Sequence, residues 1–492
     1  VLNSSGSKTY DANTDALAGA ITLSNLVSGE ALNHSGTATI GSANAGSYTI
    51  TNLSGISIAD GSGGTASNYT LTGGTHNFTV NRRAVSVSGT RLYDATTNAV
   101  ASDLSTHANL VGSETLNLSG TGTIASKNVG SNKTVSVGTL ALADGSNGGL
   151  AANYTLSGGT HQLTVNQRPL NATLARQYDG TTTAAGSDLS SFDALQGGET
   201  LTMTGSGTAA SANVANGIAM SSNGTLALAD GTGLASNYSL NSTVINIAQR
   251  VLNSSGSKTY DANTDALAGA ITLSNLVSGE ALNHSGTATI GSANAGSYTI
   301  TNLSGISIAD GSGGTASNYT LTGGTHNFTI NQRPLAATIA RQYDGTKTAA
   351  GSDLSSFDAL QGGETLTLSG SGTVGDENVA NGQGVTLGSL ALVNGTGLAS
   401  NYSLNSASLN ITKRVLNSSG SKTYDANTDA LAGAITLSNL VSGEALNHSG
   451  TATIGSANAG SYTITNLSGI SIADGSGGTA SNYTLTGGTH NF

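Results

Sequence analysis

The sequence contains no cysteine or tryptophan, and only 2 prolines and 5 phenylalanines occur among its 492 residues. Without cysteine there is no disulfide scaffold, no thiolate zinc site and no cysteine nucleophile. The near absence of proline excludes a collagen-like triple helix, although glycine is abundant at 69 residues. No run of 18 apolar residues occurs, so no membrane insertion is predicted.

Charge is also scarce, at 9% of residues, and the 16 basic and 27 acidic side chains give a net charge of −11. Nucleic acid and anionic lipid are therefore not expected as partners. An apolar content of 37% is too high for a disordered chain. Because only 4% of the residues are aromatic, the apolar content of 37% is nevertheless too low for the core of a large enzyme.

Self-comparison shows that the chain is built from repeats. Residues 1–78 recur without change at 251–328 and 415–492, and variants of the same unit lie between them. Near the start of each copy stands a Tyr-Asp pair, with its tyrosine at Tyr10, Tyr93, Tyr178, Tyr260, Tyr343 and Tyr424. Near the end stands an Asn-Tyr pair, with its asparagine at Asn68, Asn153, Asn237, Asn318, Asn401 and Asn482.

The copies follow the order A-B-C-A-C-A. The predicted domains are 1–83 (A), 84–168 (B), 169–250 (C), 251–333 (A), 334–414 (C) and 415–492 (A). The last copy stops at Phe492, the equivalent of Phe78, and is expected to be truncated at its last strand. Junctions such as Asn81-Arg82-Arg83-Ala84-Val85 contain no Gly/Ser linker, so we expect little movement between domains.

Within a copy, short runs of strand-forming residues alternate with clusters of Gly, Ser, Asn and Asp, as is typical of all-β sandwiches and barrels. We predict six tandem small antiparallel β-sandwich (Ig-like) domains that form an extended rod. At about 3.3 Å per strand residue the rod would be roughly 200–250 Å long. Strands are predicted in the first copy at 3–10, 20–26, 31–40, 47–53, 55–59, 68–72 and 75–81. The best helix candidate, 187–195, is long enough for one or two turns only.

Histidines are the first candidates for chemistry, and all eight lie in the A and B copies. His34 aligns with apolar residues such as Leu118, and His76 aligns with His161 but also with Ala407. A catalytic or metal-binding histidine could not be replaced in this way. Both are therefore predicted to be packing residues.

Carboxylates recur more regularly than histidines. Every copy has a glutamate one or two residues after a glycine, at Glu30, Glu114, Glu199, Glu280, Glu364 and Glu444. Asp60 recurs in four further copies but is Asn394 in the fifth, which argues against a catalytic carboxylate pair. The aspartates Asp60, Asp144 and Asp230 are calcium candidates, because oxygen ligands beside glycines suit this ion. The alternative is that they hydrogen-bond the backbone of their own turns. No other cofactor and no enzymatic activity are expected.

The Tyr-Asp pair has a structural interpretation. A cation stands two residues before each tyrosine, so on a strand the two side chains share a face, as for Lys8 and Tyr10. We expect the ring to be buried and the aspartate to accept backbone N–H bonds. The motif residues of the first three copies are Tyr10, Asp11, Tyr93, Asp94, Tyr178, Asp179, Asn68, Tyr69, Asn153, Tyr154, Asn237 and Tyr238.

These motifs resemble a known family. Tyr178-Asp179-Gly180-Thr181, Gly198-Glu199-Thr200-Leu201, Lys127-Asn128-Val129-Gly130 and Ala235-Ser236-Asn237-Tyr238 are similar to the YDG-type repeats, related to MBG-type repeats, of large secreted bacterial adhesins similar to filamentous haemagglutinin. The A and B copies depart from this pattern, since Ala12 and Ala95 replace the glycine and leave the turn type open. The resemblance implies an extracellular stalk at the cell surface with no catalytic residues.

The leading hypothesis from the sequence is therefore a non-enzymatic stalk or fibre of an adhesin or biofilm-matrix protein, which spaces a distal binding region from the cell. Two alternatives remain open. One is a multivalent module that binds extracellular polysaccharide or the glycans of host or neighbouring cells through weak sites in each copy. The other is a filament subunit that self-associates laterally through exposed strand edges.

Overall fold

The computed structural model describes all 492 residues, Val1–Phe492. They form two compact units, Val1–Ala248 and Gln249–Phe492. Repeats 1 to 3 belong to the first unit and repeats 4 to 6 to the second, with the division two residues before the predicted repeat boundary. Each repeat consists of short strands and two single-turn 3-10 helices, which confirms the all-β prediction. None of these helices is long and apolar enough to cross a bilayer.

The first repeat defines the strand labels. Its strands are β1 Asn3–Thr9, β2 Asp15–Leu17, β3 Ile21–Ser24, β4 Leu32–Ile40, β5 Gly46–Asn52, β6 Ile56–Asp60 and β7 His76–Asn81. Its 3-10 helices are Ala18–Ala20 and Ala66–Asn68. The same order of elements recurs in repeats 2 to 5, whereas in repeat 6 only the isolated bridges Ser418↔His490 and Thr463↔Asn491 stand in place of β7.

The strands of the other repeats differ mainly in where they break. In the first unit they are Arg83–Ala84, Ser86–Leu92, Asn98–Val100, Thr106–Ala108, Leu116–Ser119, Thr121–Ile124, Gly130–Ser136, Ala141–Asp144, Tyr154–Thr155, His161–Asn166, Arg168–Gln177, Thr183–Ala185, Leu189–Phe192, Leu201–Thr204, Ser206–Ala209, Ala215–Ser222, Ala227–Asp230 and Tyr238–Ala248. The 3-10 helices here are Ala101–Asp103, Ala151–Asn153, Gly186–Asp188 and Ala235–Asn237.

The second unit repeats this pattern. Its strands are Arg250–Val251, Asn253–Thr259, Asp265–Leu267, Ile271–Ser274, Leu282–Ile290, Gly296–Asn302, Ile306–Asp310, Tyr319–Thr320, His326–Asn331, Arg333–Gln342, Thr348–Ala350, Leu354–Phe357, Leu366–Ser369, Ser371–Thr373, Ala380–Gly384, Ala391–Asn394, Tyr402–Thr412, Arg414–Val415, Asn417–Gly420, Asp429–Leu431, Ile435–Ser438, Leu446–Ile454, Ile464–Asn466, Ile470–Asp474 and Tyr483–Thr484. The 3-10 helices are Ala268–Ala270, Ala316–Asn318, Gly351–Asp353, Ala399–Asn401, Ala432–Ala434 and Ala480–Asn482.

The sheet of each repeat is curled. In the first repeat the strand order is β2-β4-β5-β7-β1-β3, with β6 paired to β4. The two outer strands of this order, β2 and β3, are joined only by the three residues Ala18–Ala20. The two edges of the sheet must therefore approach each other, which gives the sheet a barrel-like shape and leaves little free edge.

A glycine allows β4 to change partners. Residues 32–36 pair with β6, whereas residues 37–40 pair with β2 and β5. At the change, Gly36 has a φ of 103°, and a Cβ there would lie 1.9 Å from the carbonyl oxygen of Gly55. Only glycine fits this bend. In the B and C repeats the same bend divides β4 into two strands, as at Gly120.

Three expectations from the sequence need correction. The sheet is not wholly antiparallel, because β1 and β7 pair in parallel from Ser4↔His76 to Thr9↔Asn81. The helix candidate 187–195 forms one 3-10 turn, Gly186–Asp188, followed by the strand Leu189–Phe192. The strand is favoured because it lets the side chain of Phe192 pack against the core. The strand predicted at 68–72 is a turn in the first repeat and a two-residue strand, Tyr154–Thr155, in the second.

Candidate functional site: the joint between repeats

The residues that recur in every repeat come together where two repeats meet. In the first joint, between repeats 1 and 2, Tyr10 follows β1, and its N–H is held by the carbonyl oxygen of Asn81. The Tyr10 hydroxyl donates to Oε1 of Glu114 in repeat 2 at 2.8 Å. The hydroxyl of Tyr154, also in repeat 2, donates to Oε2 of the same glutamate at 2.6 Å. One carboxylate therefore links the Tyr-Asp tyrosine of one repeat to the Asn-Tyr tyrosine of the next.

The two tyrosine rings also pack on each other. Their centroids are 5.3 Å apart, and the ring planes meet at 78°, an edge-to-face arrangement that adds to the gain from burial. Tyr10 is 3% exposed and Tyr154 is 1% exposed. The hydrophobic core of the first repeat thus continues into the second without a break.

Asparagine and arginine complete the first joint. The amide of Asn153, in the Asn-Tyr pair of repeat 2, donates to Asn44 Oδ1 of repeat 1 at 3.0 Å and accepts the Ala45 N–H at 2.8 Å. Arg83, the last residue of the predicted first repeat, donates to the carbonyl oxygen of Tyr10 at 3.2 Å and to that of Asn109 in repeat 2 at 2.8 Å. Asn153 is buried, and both the NH2 group and the oxygen of its side-chain amide are hydrogen-bonded to the preceding repeat.

The same joint recurs three more times inside the two units. Between repeats 2 and 3 it consists of Tyr93, Glu199, Tyr238, Asn237, Asn128 and Arg168. Between repeats 4 and 5 it consists of Tyr260, Glu364, Tyr402, Asn401, Asn294 and Arg333. Between repeats 5 and 6 it consists of Tyr343, Glu444, Tyr483, Asn482, Asn378 and Arg414.

Identical repeats show what the joint contributes. Asn68 and Asn482 occupy the same position in copies of one sequence, but Asn68 is exposed, whereas Asn482, whose amide donates to Asn378 of repeat 5, is 1% exposed. The burial of this asparagine therefore comes from the preceding repeat and not from its own repeat.

The joint also changes the ionisation of its residues. Burial and the nearby Glu114 carboxylate raise the pKa of Tyr154 to about 12. Burial raises the pKa of Tyr238 to about 12, and Glu199 acts in the same direction. For Glu199, burial alone would raise the pKa, but hydrogen bonds from Lys127, Tyr93 and Tyr238 outweigh it and hold the pKa below its ordinary value. The joint favours neutral tyrosines around an ionised glutamate.

Lys127 distinguishes the joint between repeats 2 and 3. Its ammonium lies 2.6 Å from Glu199 Oε1 and 5.9 Å from the centroid of the Tyr93 ring. Ala43 occupies the same position in repeat 1, and Glu377 occupies it in repeat 5. This joint therefore has an extra cation, which partly neutralises the buried carboxylate.

The aspartates of the Tyr-Asp pairs hold the turn that follows. Asp11 accepts the Asn13 N–H at 3.2 Å, Asp94 accepts the Thr96 N–H, and Asp179 accepts the Thr181 N–H. Each also forms an ion pair with the cation three residues earlier. Tyr178 is buried, and its N–H is bonded to the carbonyl oxygen of Ala248.

The residue directly after the aspartate of the Tyr-Asp pair has a positive φ, whether it is alanine or glycine. The φ of Ala12 is 58° and that of Ala95 is 64°, whereas Gly180 has 79°. The alanine copies therefore form the same turn as the glycine copies, with some backbone strain.

The calcium candidates serve as turn caps. Oδ1 of Asp60 accepts the Ala66 N–H, Asp144 accepts the Ala151 N–H and Asp230 accepts the Ala235 N–H, each at 2.7 Å. In repeat 5, Oδ1 of Asn394 accepts the Ala399 N–H at the same distance, which explains why an amide is tolerated. The structure brings no group of three His, Asp or Glu side chains together around a common point.

Replacement of Asp230 tests whether the cap or a metal matters. Asp230→Asn keeps the acceptor oxygen and should leave the free energy of unfolding unchanged, with or without calcium. Asp230→Ala removes the cap and should lower it by about 1 kcal/mol. Urea denaturation with calcium or with a chelator measures both. A calcium-dependent stability that Asp230→Asn abolishes would instead support a metal site.

The histidines hold backbone groups inside their repeat. His34 Nε2 lies 2.9 Å from the carbonyl oxygens of both Ala18 and Ile21. His76 is buried, with Nδ1 2.8 Å from Ser4 Oγ and Nε2 2.7 Å from the Leu71 carbonyl oxygen. Ser4 is itself buried on β1, so this Ser–His pair has no access to a substrate.

Comparison with protein families agrees with this repeat-by-repeat construction. A family model described as the YDG domain matches residues 2–77, 75–162, 161–245, 248–326, 329–409 and 408–490. The chain belongs to the YDG domain family. The six YDG domains cover nearly the whole sequence, which confirms the predicted tandem YDG-type repeats. No curated protein matches the chain.

The YDG joint is not evident from the sequence alone. The Tyr-Asp pair was interpreted within its own repeat, and the Asn-Tyr pair and the glutamate were recognised only as recurring residues. Asn44 was not singled out, and Arg83 was noted only as part of a junction without a linker. The available signal was that Tyr, Glu, Asn and Arg stay constant at these positions while the A, B and C sequences around them diverge.

Proposed function

We propose that this YDG array is a non-enzymatic stalk or fibre region of an extracellular bacterial adhesin or biofilm-matrix protein, which spaces a distal binding region from the cell. The joint is the observation that carries the proposal. At each junction inside a unit, two tyrosines and an asparagine are buried, and a half-buried glutamate links them, between neighbours that have no flexible linker. Such a junction resists bending, which a spacer needs and a small-molecule site does not.

In this proposal the six repeats are small sandwich-like modules that follow one another as a rod. The tyrosines, glutamates and asparagines that recur in every repeat are used at these joints to hold neighbouring modules together. The recurring carboxylate of each joint accepts bonds from two tyrosine hydroxyls, as Glu444 does from Tyr343 and Tyr483. These contacts favour a mechanical role over hydrolysis.

Small-angle X-ray scattering of the full chain tests the rod. A rod of about 200 Å has a radius of gyration of roughly 60 Å. A compact chain of this length would have a radius of gyration of about 23 Å. We expect a value near the first figure and a pair-distance distribution with a long tail. A radius of gyration near 23 Å would refute the spacer.

Lateral self-association into a filament is less favoured than the spacer. Association through strand edges needs a long, flat, unpaired strand. In each repeat the outer strands of the curled sheet are only three or four residues long, as in β2 and β3. A glycan-binding role is compatible with the spacer, because binding sites on the repeats would add to the function of the stalk.

A further inference from the structure

A cavity beside the Tyr-Asp turn recurs in the A repeats. In repeat 4 it has a volume of about 170 Å³ and is lined by Lys258, Asp261, Asn263, Asp265, Leu267 and Ala270. In repeat 6 the equivalent residues line about 250 Å³, namely Lys422, Asp425, Asn427, Asp429, Leu431 and Ala434. We call this cavity the loop pocket. At about 30 Å³ per water, 170 Å³ holds about six waters, which is close to the volume of one sugar ring.

Lys258 forms one side of the loop pocket but offers no free charge to a ligand. Its ammonium donates to Asn263 Oδ1 at 2.6 Å and to the Asp265 carbonyl oxygen at 2.8 Å, and it pairs with Asp261 at 2.8 Å. These partners use the three N–H donors of the ammonium. With two carboxylates against one lysine, the pocket has a net charge of −1 and disfavours anions.

The opposite side combines an apolar wall with a free donor. Leu267 is 61% exposed, as are its equivalents Leu17 and Leu431 at 60% and 62%. Leu267 lies opposite Thr287 in the pairing of the two strands. The Thr287 N–H points away from the strand of Leu267 and donates to the carbonyl oxygen of Gly305 at 3.1 Å. The pair is therefore of the type without ladder hydrogen bonds, and the Leu267 N–H points off the edge of the sheet. In repeat 2 the N–H at the same position, that of Val100, donates to the Asp103 carboxylate, and the A repeats have alanine where that aspartate stands.

The B and C repeats show how the same space is filled. Asp103 in repeat 2 stands at the position of Ala270, and its carboxylate accepts the Val100 N–H and lies 3.7 Å from Arg91. In repeat 3, Asp188 accepts the Ala185 N–H at 3.1 Å. The A repeats have alanine here and an extra aspartate at position 265. In both repeats where the pocket is found, the capping carboxylate is missing.

We propose that the A repeats each bind one neutral hexopyranose unit of a glycan, at the loop pockets of repeats 4 and 6 and at the identical residues of repeat 1. The hydroxyl groups of the sugar donate to the Asp261 and Asp265 carboxylates, and one of its oxygens accepts the Leu267 N–H. Its C–H face packs on the Leu267 side chain, in the usual combination of a few polar groups with an apolar wall. Three such sites on one chain raise the avidity for a polymer. This binding goes beyond the spacer function and does not depend on it.

The test uses the full chain and defined probes. Methyl α-mannoside, methyl β-galactoside and methyl β-glucoside are titrated by saturation-transfer-difference NMR, with methyl β-glucuronide as the charged counterpart. At least one neutral glycoside should saturate, and the glucuronide should bind at least tenfold more weakly. No saturation by any neutral glycoside, or equal binding of the glucuronide, overturns the proposal.

Two triple variants locate the binding. Changing Ala20, Ala270 and Ala434 to Asp places at this position the aspartate that the B and C repeats have. Its carboxylate should fill the loop pocket and reduce the affinity for the sugar at least tenfold. Changing Leu17, Leu267 and Leu431 to Ser removes the exposed wall with little effect on folding and should do the same. Val393→Ser, an exposed apolar residue on a repeat 5 strand, is the control and should bind like the wild type. Unchanged binding by the leucine variant would show that the sugar binds elsewhere on the chain and would refute the loop pocket as its site.

Discussion

Glu199→Ala should open the joint between repeats 2 and 3 and leave the repeats themselves folded. The glutamate is 8% exposed at its side chain and accepts bonds from Tyr93, Tyr238 and Lys127. Its loss leaves two tyrosine hydroxyls buried without an acceptor and a lysine without its partner. We expect the joint to be weakened by about 3 kcal/mol, since the lysine is partly solvated and recovers some of its hydration.

Amide hydrogen exchange measures this effect at single residues. The Val129 N–H is bonded across the joint to Asn237 Oδ1, so its exchange rate should rise about a hundredfold. The Tyr93 N–H is bonded to the Asn166 carbonyl oxygen inside repeat 2 and should keep its protection. The Ala45 N–H, bonded across the first joint to Asn153, should also be unchanged.

Glu30→Ala is the matched control. Glu30 occupies the position of Glu199 in the first repeat, where it accepts a bond from Tyr69 of its own repeat. This variant should leave the exchange of the Val129 and Ala45 amides unchanged. If Glu199→Ala accelerates the Tyr93 and Val129 amides equally, the glutamate supports the fold of repeat 2 and not the joint.

The second large effect is expected at high pH. Burial, together with the neighbouring glutamate, raises the pKa of Tyr154, Tyr238, Tyr260 and Tyr483 to about 12, from an ordinary value of 10. Each of these tyrosines stabilises the folded chain while it is neutral. That stabilisation is complete below pH 10 and is lost as the pH rises toward 12, when a phenolate would face a glutamate. All four joints described should therefore open within the same range.

Absorbance at 295 nm and circular dichroism follow this transition together. The late phase of tyrosine ionisation should coincide with a loss of the β-sheet signal, and Tyr238→Phe should remove one tyrosine from that phase. The chain has 15 tyrosines. If all of them ionise around pH 10 while the dichroism stays intact, the joint tyrosines are not buried against glutamate in solution.

The strands were predictable because their causes are local. Alternation at His76, Phe78 and Val80 places three side chains on one buried face, and glycine clusters mark the turns. The parallel pairing of β1 with β7 was not predictable, because a strand shows the same alternation whether its neighbour is parallel or antiparallel. The sequence therefore indicated the elements and the repeat length but not the order of strands in the sheet.

The joint was beyond prediction for a different reason. Tyr10 and Glu114 are 104 residues apart, and no local rule relates them. Considered within one repeat, a buried tyrosine and a turn glutamate each have an adequate explanation. The loop pocket was hidden in a similar way, because it depends on Ala270 standing where another repeat has Asp188, and its effect appears only in three dimensions.

The position of the joint residues has a consequence for how such arrays change in number. Every copy carries a Tyr-Asp tyrosine for the neighbour that follows it, and a glutamate with an Asn-Tyr pair for the neighbour that precedes it. Unequal recombination between copies would therefore bring compatible faces together whichever variants it fused. The gene can gain or lose whole copies without a compensating mutation, and the identity of residues 1–78, 251–328 and 415–492 is the record expected of such exchange.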